Sequence, residues 1–217
     1  MSTVTMILGE SGTGKSASLR NLDPEQTLLI QAIKKPLPFK AAGWKLATKD
    51  NPGGSILVRD QAAVIVGAMK KTQRKIIVLD DFQYVMANEF MRRSAEKGFD
   101  KFTEIGKNAW DILTEAARLP DDVRVYILSH VETNDSGRTK IKTIGKMLDE
   151  KITLEGMVTI VLRTVVQDGQ YLFATRNNGS DTTKTPMGLF DQDLIDNDLA
   201  AVDTAIFQYY DLTEAAA

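Results

Sequence analysis

The feature that most constrains this chain is a glycine-rich segment at residues 9–16, which follows an apolar run near the start of the sequence. The segment matches the pattern G-x-x-x-x-G-K-[ST], with an extra glycine at Gly12. Glycines let such a loop curl so that successive backbone N–H groups point inward and bind phosphate. The lysine then contacts the β- and γ-phosphates, and the hydroxyl after it ligates Mg²⁺. The sequence therefore predicts a nucleoside triphosphate site with Mg²⁺, in which Lys15 and Ser16 have these two roles.

The neighbours of this loop support the interpretation, because the motif is specific only between a strand and a helix. Residues 4–8 are β-favouring and apolar, and residues 17–20 can continue as a helix. We expect that helix to begin at Lys15 and to direct its positive N-terminal end at the phosphates. The residues expected to contact the nucleotide are Gly9, Glu10, Ser11, Gly12, Thr13, Gly14, Lys15, Ser16 and Ala17.

A second motif lies at residues 76–81, where four β-favouring apolar residues are followed by Asp80 and Asp81. This is the Walker B pattern of a central strand. At the carboxyl end of such a strand, Asp80 would face the phosphate loop and hold the Mg²⁺ shell through water. The metal ligands predicted here are therefore Ser16 and Asp80. A buried strand that ends in a turn acid is the alternative, and the preceding phosphate loop makes it less favoured.

The rest of the chain alternates predicted strands with predicted helices. Strands are expected at residues 27–33, 55–58, 123–128, 158–167 and 170–176. Helices are expected at residues 61–71, with Asp60 as the cap, at 102–119, with Trp110 in the core, and at 197–210. The turn at Asp168 and Gly169 predicts a β-hairpin. The pattern predicts an α/β fold: a mostly parallel central sheet flanked by helices, with an antiparallel hairpin at one edge.

The distance between the two motifs, and the absence of a GTPase motif, indicate which class of nucleotide-binding protein this is. More than sixty residues separate the two motifs, which suits RecA-like and AAA-type ATPases. Residues 48–51 fail the base-reading pattern of GTPases, so ATP is the expected nucleotide. Hydrolysis requires a group that orients the attacking water. Asp81 is the nearest candidate for that role and Glu132 is the other. His130 is placed where a γ-phosphate sensor belongs, although it could instead simply end a strand.

The composition indicates the cellular compartment of the protein. The chain has no cysteine, which excludes disulfides and thiol catalysis and fits a reducing compartment. It has no apolar run near 18 residues, and the first strand begins at once, so we expect a cytoplasmic protein with no signal peptide and no membrane span.

Charge divides the chain into a predicted domain at residues 1–190 and an acidic helical segment at residues 191–217. All 27 basic residues lie in the first part, together with 22 of the 29 acids. The seven remaining acids are Asp191, Asp193, Asp196, Asp198, Asp203, Asp211 and Glu214. A mildly basic body is compatible with a polyanionic partner. On charge alone, an acidic helix that simply faces solvent is an equally good explanation of residues 191–217.

Several blocks together resemble phage-encoded RecA-like ATP-binding proteins. They are GESGTGKSxSLRNLDP at 9–24, KPLPF at 35–39, IIVLDDFQY at 76–84, KGFDKF at 97–102, SHVE at 129–132, KTIGKMLDEK at 142–151 and TKTP at 183–186. The resemblance implies a RecA-like core that acts on single-stranded DNA in strand annealing and recombination. It also implies a homo-oligomer, either a ring or a filament, with a single-strand-binding protein as helper. One departure concerns residues 31–34, where RecA-like proteins usually place a catalytic glutamate.

The resemblance also assigns roles to basic residues. A basic segment at 138–151 is expected to follow DNA phosphates without reading sequence. Its predicted contacts are Arg138, Lys140, Lys142 and Lys146, with Lys151 nearby. Residues 91–93 and 97–101 form a weaker second candidate. A cation from a neighbouring subunit is expected to reach the γ-phosphate, and Lys184 is favoured over Arg163 and Arg176. Two other functions stay open: an AAA-type ATPase that remodels a protein, and a nucleotide-gated binding protein with little hydrolysis.

Overall fold

The structure is a computed structural model, and it describes residues 1–212. Its strands are β1 (Thr3–Gly9), β2 (Thr27–Gln31), β3 (Ile56–Val58), β4 (Ile76–Asp80), β5 (Arg124–Thr133), β6 (Thr139–Ile141), β7 (Ile160–Gln167), β8 (Gln170–Ala174) and β9 (Leu194–Asp196). Its α-helices are α1 (Ala62–Lys71), α2 (Gln83–Arg92), α3 (Asp100–Ala117) and α4 (Leu199–Tyr209). Of the acids in the predicted terminal segment, Glu214 lies outside the described residues.

One sheet organises the fold, in the order β3-β2-β4-β5-β1-β7-β8-β9. The first six of these strands are parallel, whereas β8 and β9 are antiparallel to their neighbours. Strand β5 therefore lies between β1, which leads into the phosphate loop, and β4, which carries Asp80. The predicted α/β architecture, a mostly parallel sheet with an antiparallel edge, is confirmed.

The sheet is covered on both faces, which explains why its central strands are almost continuously apolar. In β4, all five residues are buried. Alternate residues of a strand face opposite sides, so Val125 and Ile127 join the core beneath α1, α2 and α3, whereas Tyr126 and Leu128 join the core beneath α4. The apolar runs that identified the strands in the sequence are thus the consequence of burial on two faces.

The predicted hairpin is confirmed, because Asp168 and Gly169 have φ angles of 51° and 76° in the turn between β7 and β8. The short helix expected after the nucleotide loop is a 3₁₀ helix over Ser16–Asn21, with Lys15 as its N-cap and Leu22 extended at its end. A prediction farther along the chain is wrong. Asp60 does not cap α1; its carboxylate instead accepts hydrogen bonds from Asn88 (2.8 Å) and Arg92 (2.6 Å).

Helix α2 is absent from the predicted helices, and its second half enters a polar stretch that begins at Asn88. The basic segment at 138–151 contains β6 and a π-helical turn over Met147–Lys151, which the sequence analysis did not predict. Trp110, expected in the core, keeps 39% of its surface exposed on α3.

Among residues 1–212, no helix has both the length and the apolar character needed to cross a bilayer.

Helix α4 is attached to the sheet through a buried charged cluster. Asp203 accepts two hydrogen bonds from the Arg124 guanidinium, at 2.9 and 2.8 Å, and one from the Tyr126 hydroxyl at 2.6 Å. Burial, and then the negative charge of Asp203, raise the pKa of Tyr126 well above its usual value, so the phenol stays a donor. Apolar residues Val202 and Ile206 of the same helix pack into the core.

We predict that Asp203→Ala destabilises the protein by about 3–5 kcal/mol, because it leaves the Arg124 charge buried without its partner. Urea denaturation would measure the free energy of unfolding. Asp196→Ala, which removes an exposed acid from the neighbouring strand, is the matched control and should change that energy by less than about 0.5 kcal/mol. Equal effects of the two substitutions would contradict a structural role for the cluster.

Candidate functional site

The loop at residues 9–16 leaves the carboxyl end of β1 and turns through two glycines in the left-handed region. Gly12 has a φ of 79° and Gly14 a φ of 100°. A side chain at Gly12 would meet no atom within 4 Å, so the backbone conformation alone requires glycine there. At Gly14, a Cβ atom would also lie 3.0 Å from the Tyr171 ring and 3.1 Å from the Asn197 amide.

Gly9 is required for a different reason, which is close packing. A Cβ atom there would lie 1.7 Å from the Thr164 hydroxyl oxygen. That hydroxyl in turn lies 2.6 Å from the Thr13 hydroxyl. Strand β7 therefore supports the loop directly, and the first glycine of the motif makes this contact possible.

Lys15 is nearly enclosed by the loop that carries it, with 6% of its surface exposed. Its ammonium group donates hydrogen bonds to the carbonyls of Gly9 at 2.8 Å and Glu10 at 2.7 Å. Burial lowers the pKa of Lys15 to about 8, although the nearby carboxylates of Asp81 and Asp80 oppose this shift. The ammonium thus lies at the base of the loop, where a bound phosphate would accept its hydrogen bonds.

Ser16 and Asp80 meet as the sequence predicts for a metal site. The Ser16 hydroxyl lies 3.0 and 2.9 Å from the two carboxylate oxygens of Asp80, which is fully buried. Burial, reinforced by the negative charge of Asp81, raises the pKa of Asp80. Hydroxyl and carboxylate oxygens are ligands that Mg²⁺ prefers, and Mg²⁺ usually takes the remainder from water and phosphate. The donor set therefore fits Mg²⁺ bound together with a nucleotide.

In the described part of the chain, no group of three or more acidic, histidine or cysteine side chains could hold a metal. A Mg²⁺ ion at Ser16 and Asp80 would neutralise phosphate charge and orient the terminal phosphate.

Asp81 follows Asp80 in a strained backbone conformation, with a φ of 64°. Its carboxylate is paired with Lys35 and lies 3.6 Å from the His130 Nε2 atom. Burial acts to raise the pKa of Asp81, but its interactions with His130 and with the Lys35 ammonium outweigh burial, so the pKa is lowered. Asp81 is therefore an ionised carboxylate held at the wall of the site.

These groups surround one cleft of about 440 Å³ at the carboxyl edge of the sheet. The cleft is lined by Ser11, Gly12, Gly14, Lys15, Ser16, Ala17, Lys35, Pro36, Pro38, Asp81, His130 and Tyr171. Most of the predicted nucleotide residues are thus brought together with Asp81 and His130. The volume is of the size that small-molecule sites have.

The remaining predicted catalytic residues lie away from the cleft of their own chain. Glu132 is opposite Lys140 across the β5–β6 pair, with their charged groups 3.4 Å apart. Lys184 is exposed and bridges to Val161 beside β7. Arg163 is paired with Asp181 at 2.9 Å, and Arg176 with Asp193 at 2.7 Å.

The basic segment is more ordered than a simple loop, and its cations differ in exposure. Arg138, Lys142 and Lys146 are exposed, as is Lys151. Lys140 is half-buried, and its ammonium donates to the Asp149 carbonyl at 2.8 Å. In the weaker candidate region, Arg93 pairs with Glu96 and Glu104. Lys101 is buried there and donates to backbone carbonyls.

Lys35 is the site residue that sequence reasoning did not single out. It lies within the KPLPF block, which contributed only to the family resemblance, in a stretch that reads as loop. Its ion pair with Asp81 joins positions 46 residues apart, so no local pattern reveals it. Pro36, Pro38 and Tyr171 also line the cleft and were not singled out by sequence reasoning either.

Comparisons with known proteins add little to this geometry. No protein-family model matches the chain, and no curated protein matches it. One matching solved structure is that of a DnaB-like replicative helicase, described together with its interactions with primase. The identity is 17% and the TM-score 0.45, over 77% of this chain and 48% of that chain. The chain thus spans about half the length of the helicase chain it matches, and the fold assignment depends on its own sheet order.

We predict that Gly9→Ala lowers the free energy of unfolding by about 1–3 kcal/mol, as overpacking does, and weakens nucleotide binding. Urea denaturation and calorimetric titration with ATP would measure the two effects. Thr164→Ala, added to Gly9→Ala, should restore part of the stability because it removes the hydroxyl that the new methyl group meets. Gly53→Ala, a site with open space, is the control. A Gly9→Ala protein that matches this control would contradict the packing argument.

Proposed function

We propose that this protein binds ATP with Mg²⁺ and uses the nucleotide to control its binding to single-stranded DNA. The observation that carries the proposal is the loop at residues 9–16, which encloses the Lys15 ammonium and places the Ser16 hydroxyl against the buried Asp80 carboxylate. Residues 9–17 would hold the phosphates, and Ser16 and Asp80 would hold the metal. ATP is favoured as nucleotide because the GTPase base-reading pattern is absent from the sequence.

The protein hydrolyses ATP in this proposal, and Asp81 is the preferred catalytic base. The oxygen of water bonds to the γ-phosphorus while the bond to the β–γ bridging oxygen breaks, and the proton of the water passes to the base. Asp81 lies at the wall of the cleft with His130 beside it, which suits His130 as a sensor of the γ-phosphate. Glu132 is the less favoured base, because it does not line the cleft.

The DNA-binding surface in this proposal consists of the exposed cations Arg138, Lys142 and Lys146. They follow the carboxyl end of β5 and therefore lie at the same edge of the sheet as the cleft. Cations of this kind bind phosphates without reading bases, so the affinity should depend strongly on salt. Lys140 contributes less than the sequence suggests, since its ammonium is directed to Asp149 and Glu132.

A backbone hydrogen bond supports coupling between the two sites. The amide of Lys142 donates to the carbonyl of His130 at 2.9 Å, and the His130 ring lines the cleft. Any shift of β5 that a bound nucleotide produces at His130 would thus be transmitted directly to the basic segment. This connection favours a nucleotide-controlled DNA contact over two independent sites.

The family resemblance extends the proposal to assembly and biological role. We propose a homo-oligomer in which Lys184 of one subunit reaches the γ-phosphate held by the next. Arg163 and Arg176 suit this role less well, because each is paired with an aspartate. The assembly would promote strand annealing or exchange in phage recombination, in the host cytoplasm, with a single-strand-binding protein as helper.

A second candidate function is a nucleotide-gated DNA-binding protein that hydrolyses ATP very little. Two observations favour it: Asp81 is already engaged by Lys35 and His130, and residues 31–34 contain no glutamate. A base in an ion pair must exchange its partner before it can accept a proton from water.

Titration of fluorescent single-stranded DNA with and without ATP and Mg²⁺, with phosphate release followed in the same samples, tests the proposal. We expect tighter DNA binding in the presence of ATP, together with slow phosphate release. Lys15→Ala should remove the ATP dependence, since the lysine supplies the phosphate contact. No DNA binding at low salt with ATP present would overturn the proposed function. DNA binding without turnover would favour the nucleotide-gated protein.

We predict that combined alanine substitution of Arg138, Lys142 and Lys146 lowers DNA affinity and flattens its salt dependence. Each lost phosphate contact should reduce the slope of log affinity against log salt by about 0.7, or roughly 2 in total. Anisotropy titrations at several salt concentrations would measure this, and calorimetry should show unchanged ATP binding.

The matched control for that variant replaces three exposed lysines elsewhere: Lys45, Lys49 and Lys71. They lie in the connections that enter β3 and β4, at the opposite end of the parallel strands. Equal losses in both triple variants would mean that charge in general, and not this segment, determines DNA binding.

A further inference from the structure

Lys35 occupies a position that the proposed phosphate and metal contacts leave unexplained. It follows β2 and lines the cleft opposite the loop, together with Lys15, Ser16 and His130. Its ammonium pairs with the Asp81 carboxylate and lies 3.6 Å from that of Asp80. About a third of the side chain, 35%, is exposed to the cleft and solvent. A cation therefore stands beside both acids, on the open side of the site.

The backbone that carries Lys35 is fixed, whereas its side chain can move. The Gln31 side-chain amide, 2% exposed at the end of β2, donates to the Lys35 carbonyl at 3.2 Å. Pro36 and Pro38 restrict the backbone that follows, and Leu37 packs against the core. The four-carbon stem of lysine allows its ammonium to reach a new partner while the backbone stays in place.

The arrangement of the other groups defines which part of a nucleotide Lys35 would meet. In the proposed site, Lys15 would contact the β- and γ-phosphates, and the Ser16 hydroxyl, which lies 3.0 and 2.9 Å from the Asp80 carboxylate oxygens, would hold Mg²⁺ on the Asp80 side of the γ-phosphate. A diphosphate lacks the group that would lie farthest toward the two carboxylates. A cation held by Ser16 and Asp80 would also repel the Lys35 ammonium from Asp80, because like charges at this distance are unfavourable. Lys35 would then be left between Asp81 and the terminal phosphate.

We propose that Lys35 contacts the γ-phosphate from within the same subunit and so lets the site distinguish ATP from ADP. This inference rests on the proposed ATP site and is independent of the DNA-binding part of the proposed function. When the ammonium moves to the phosphate, it leaves Asp81, and the carboxylate becomes available to water. In the absence of the terminal phosphate, the ion pair keeps Asp81 occupied. Lys35 thereby couples the state of the nucleotide to the state of the candidate base.

Calorimetric titration with ADP and with a non-hydrolysable imido analogue of ATP, each with Mg²⁺, tests the proposal by binding alone. Lys35→Ala should weaken the ATP analogue roughly tenfold, the equivalent of one charge-assisted hydrogen bond, and leave ADP affinity within about twofold. Lys34→Ala is the matched control, because Lys34 is the preceding residue and is exposed. It should change neither affinity. Lys35→Arg, which keeps the charge, should recover part of the preference for the triphosphate.

A purely structural role for Lys35 predicts a different result. If the lysine only offsets the buried acids, Lys35→Ala would weaken both nucleotides alike, and adding Asp81→Asn would restore both. That outcome would overturn the inference and leave the ATP site standing. A wild-type protein that binds neither nucleotide would instead overturn the proposed function itself, and the inference with it. Thermal unfolding of each variant would show that the compared proteins are folded.

Discussion

Parallel pairing of the central strands is the constraint on which the candidate site depends. Because β1, β2, β4, β5 and β7 run in the same direction, residues at their carboxyl ends meet at one edge of the sheet. The ends of β1 and β4 supply Gly9 and Asp80, and β5 supplies His130. These positions are far apart in sequence, yet the register between neighbouring strands aligns Gly9 directly with His130. The cleft is therefore a property of the sheet order as much as of the loop.

Burial determines how the charged groups at the carboxyl edge of the sheet are paired. Two adjacent carboxylates, Asp80 and Asp81, are both almost inaccessible to water, which would be costly if they were unpaired. The Ser16 hydroxyl contacts Asp80, and the Lys35 ammonium lies near both acids but closer to Asp81. Burial and the negative charge of Asp81 raise the pKa of Asp80, whereas the interactions of Asp81 with His130 and Lys35 outweigh its burial and lower its pKa. In the proposed function, Asp80 would hold the metal and Asp81 would accept the proton of water.

Features that depend on consecutive residues could be predicted from the sequence, whereas features that depend on contacts between distant residues could not. The strands and the loop were predictable because two-sided burial and phosphate binding each demand particular residue types in succession. Helix α2 was not predictable, because its polar residues Asn88 and Glu89 form hydrogen bonds with the distant residues Asp60 and Asn108. Strand β6 has three residues and depends on its pairing with β5. Likewise, the position of Lys35 is set by the Gln31 contact and by the sheet, which its local sequence does not contain.

The acidic terminal segment contributes to the cleft through its fold, which bears on how its charge should be interpreted. Asp198 caps α4 and also accepts a hydrogen bond from Asn21 at 2.7 Å, at the end of the 3₁₀ turn that follows the loop. Asn197, next to it, lies against Gly14. Asp203 attaches the same helix to the sheet, so the contact of Asp198 links the 3₁₀ turn after the loop to a helix that is itself held in place. The charges of Asp198 and Asp203 are thus satisfied by neighbouring donors, and these two acids act in the structure of the domain.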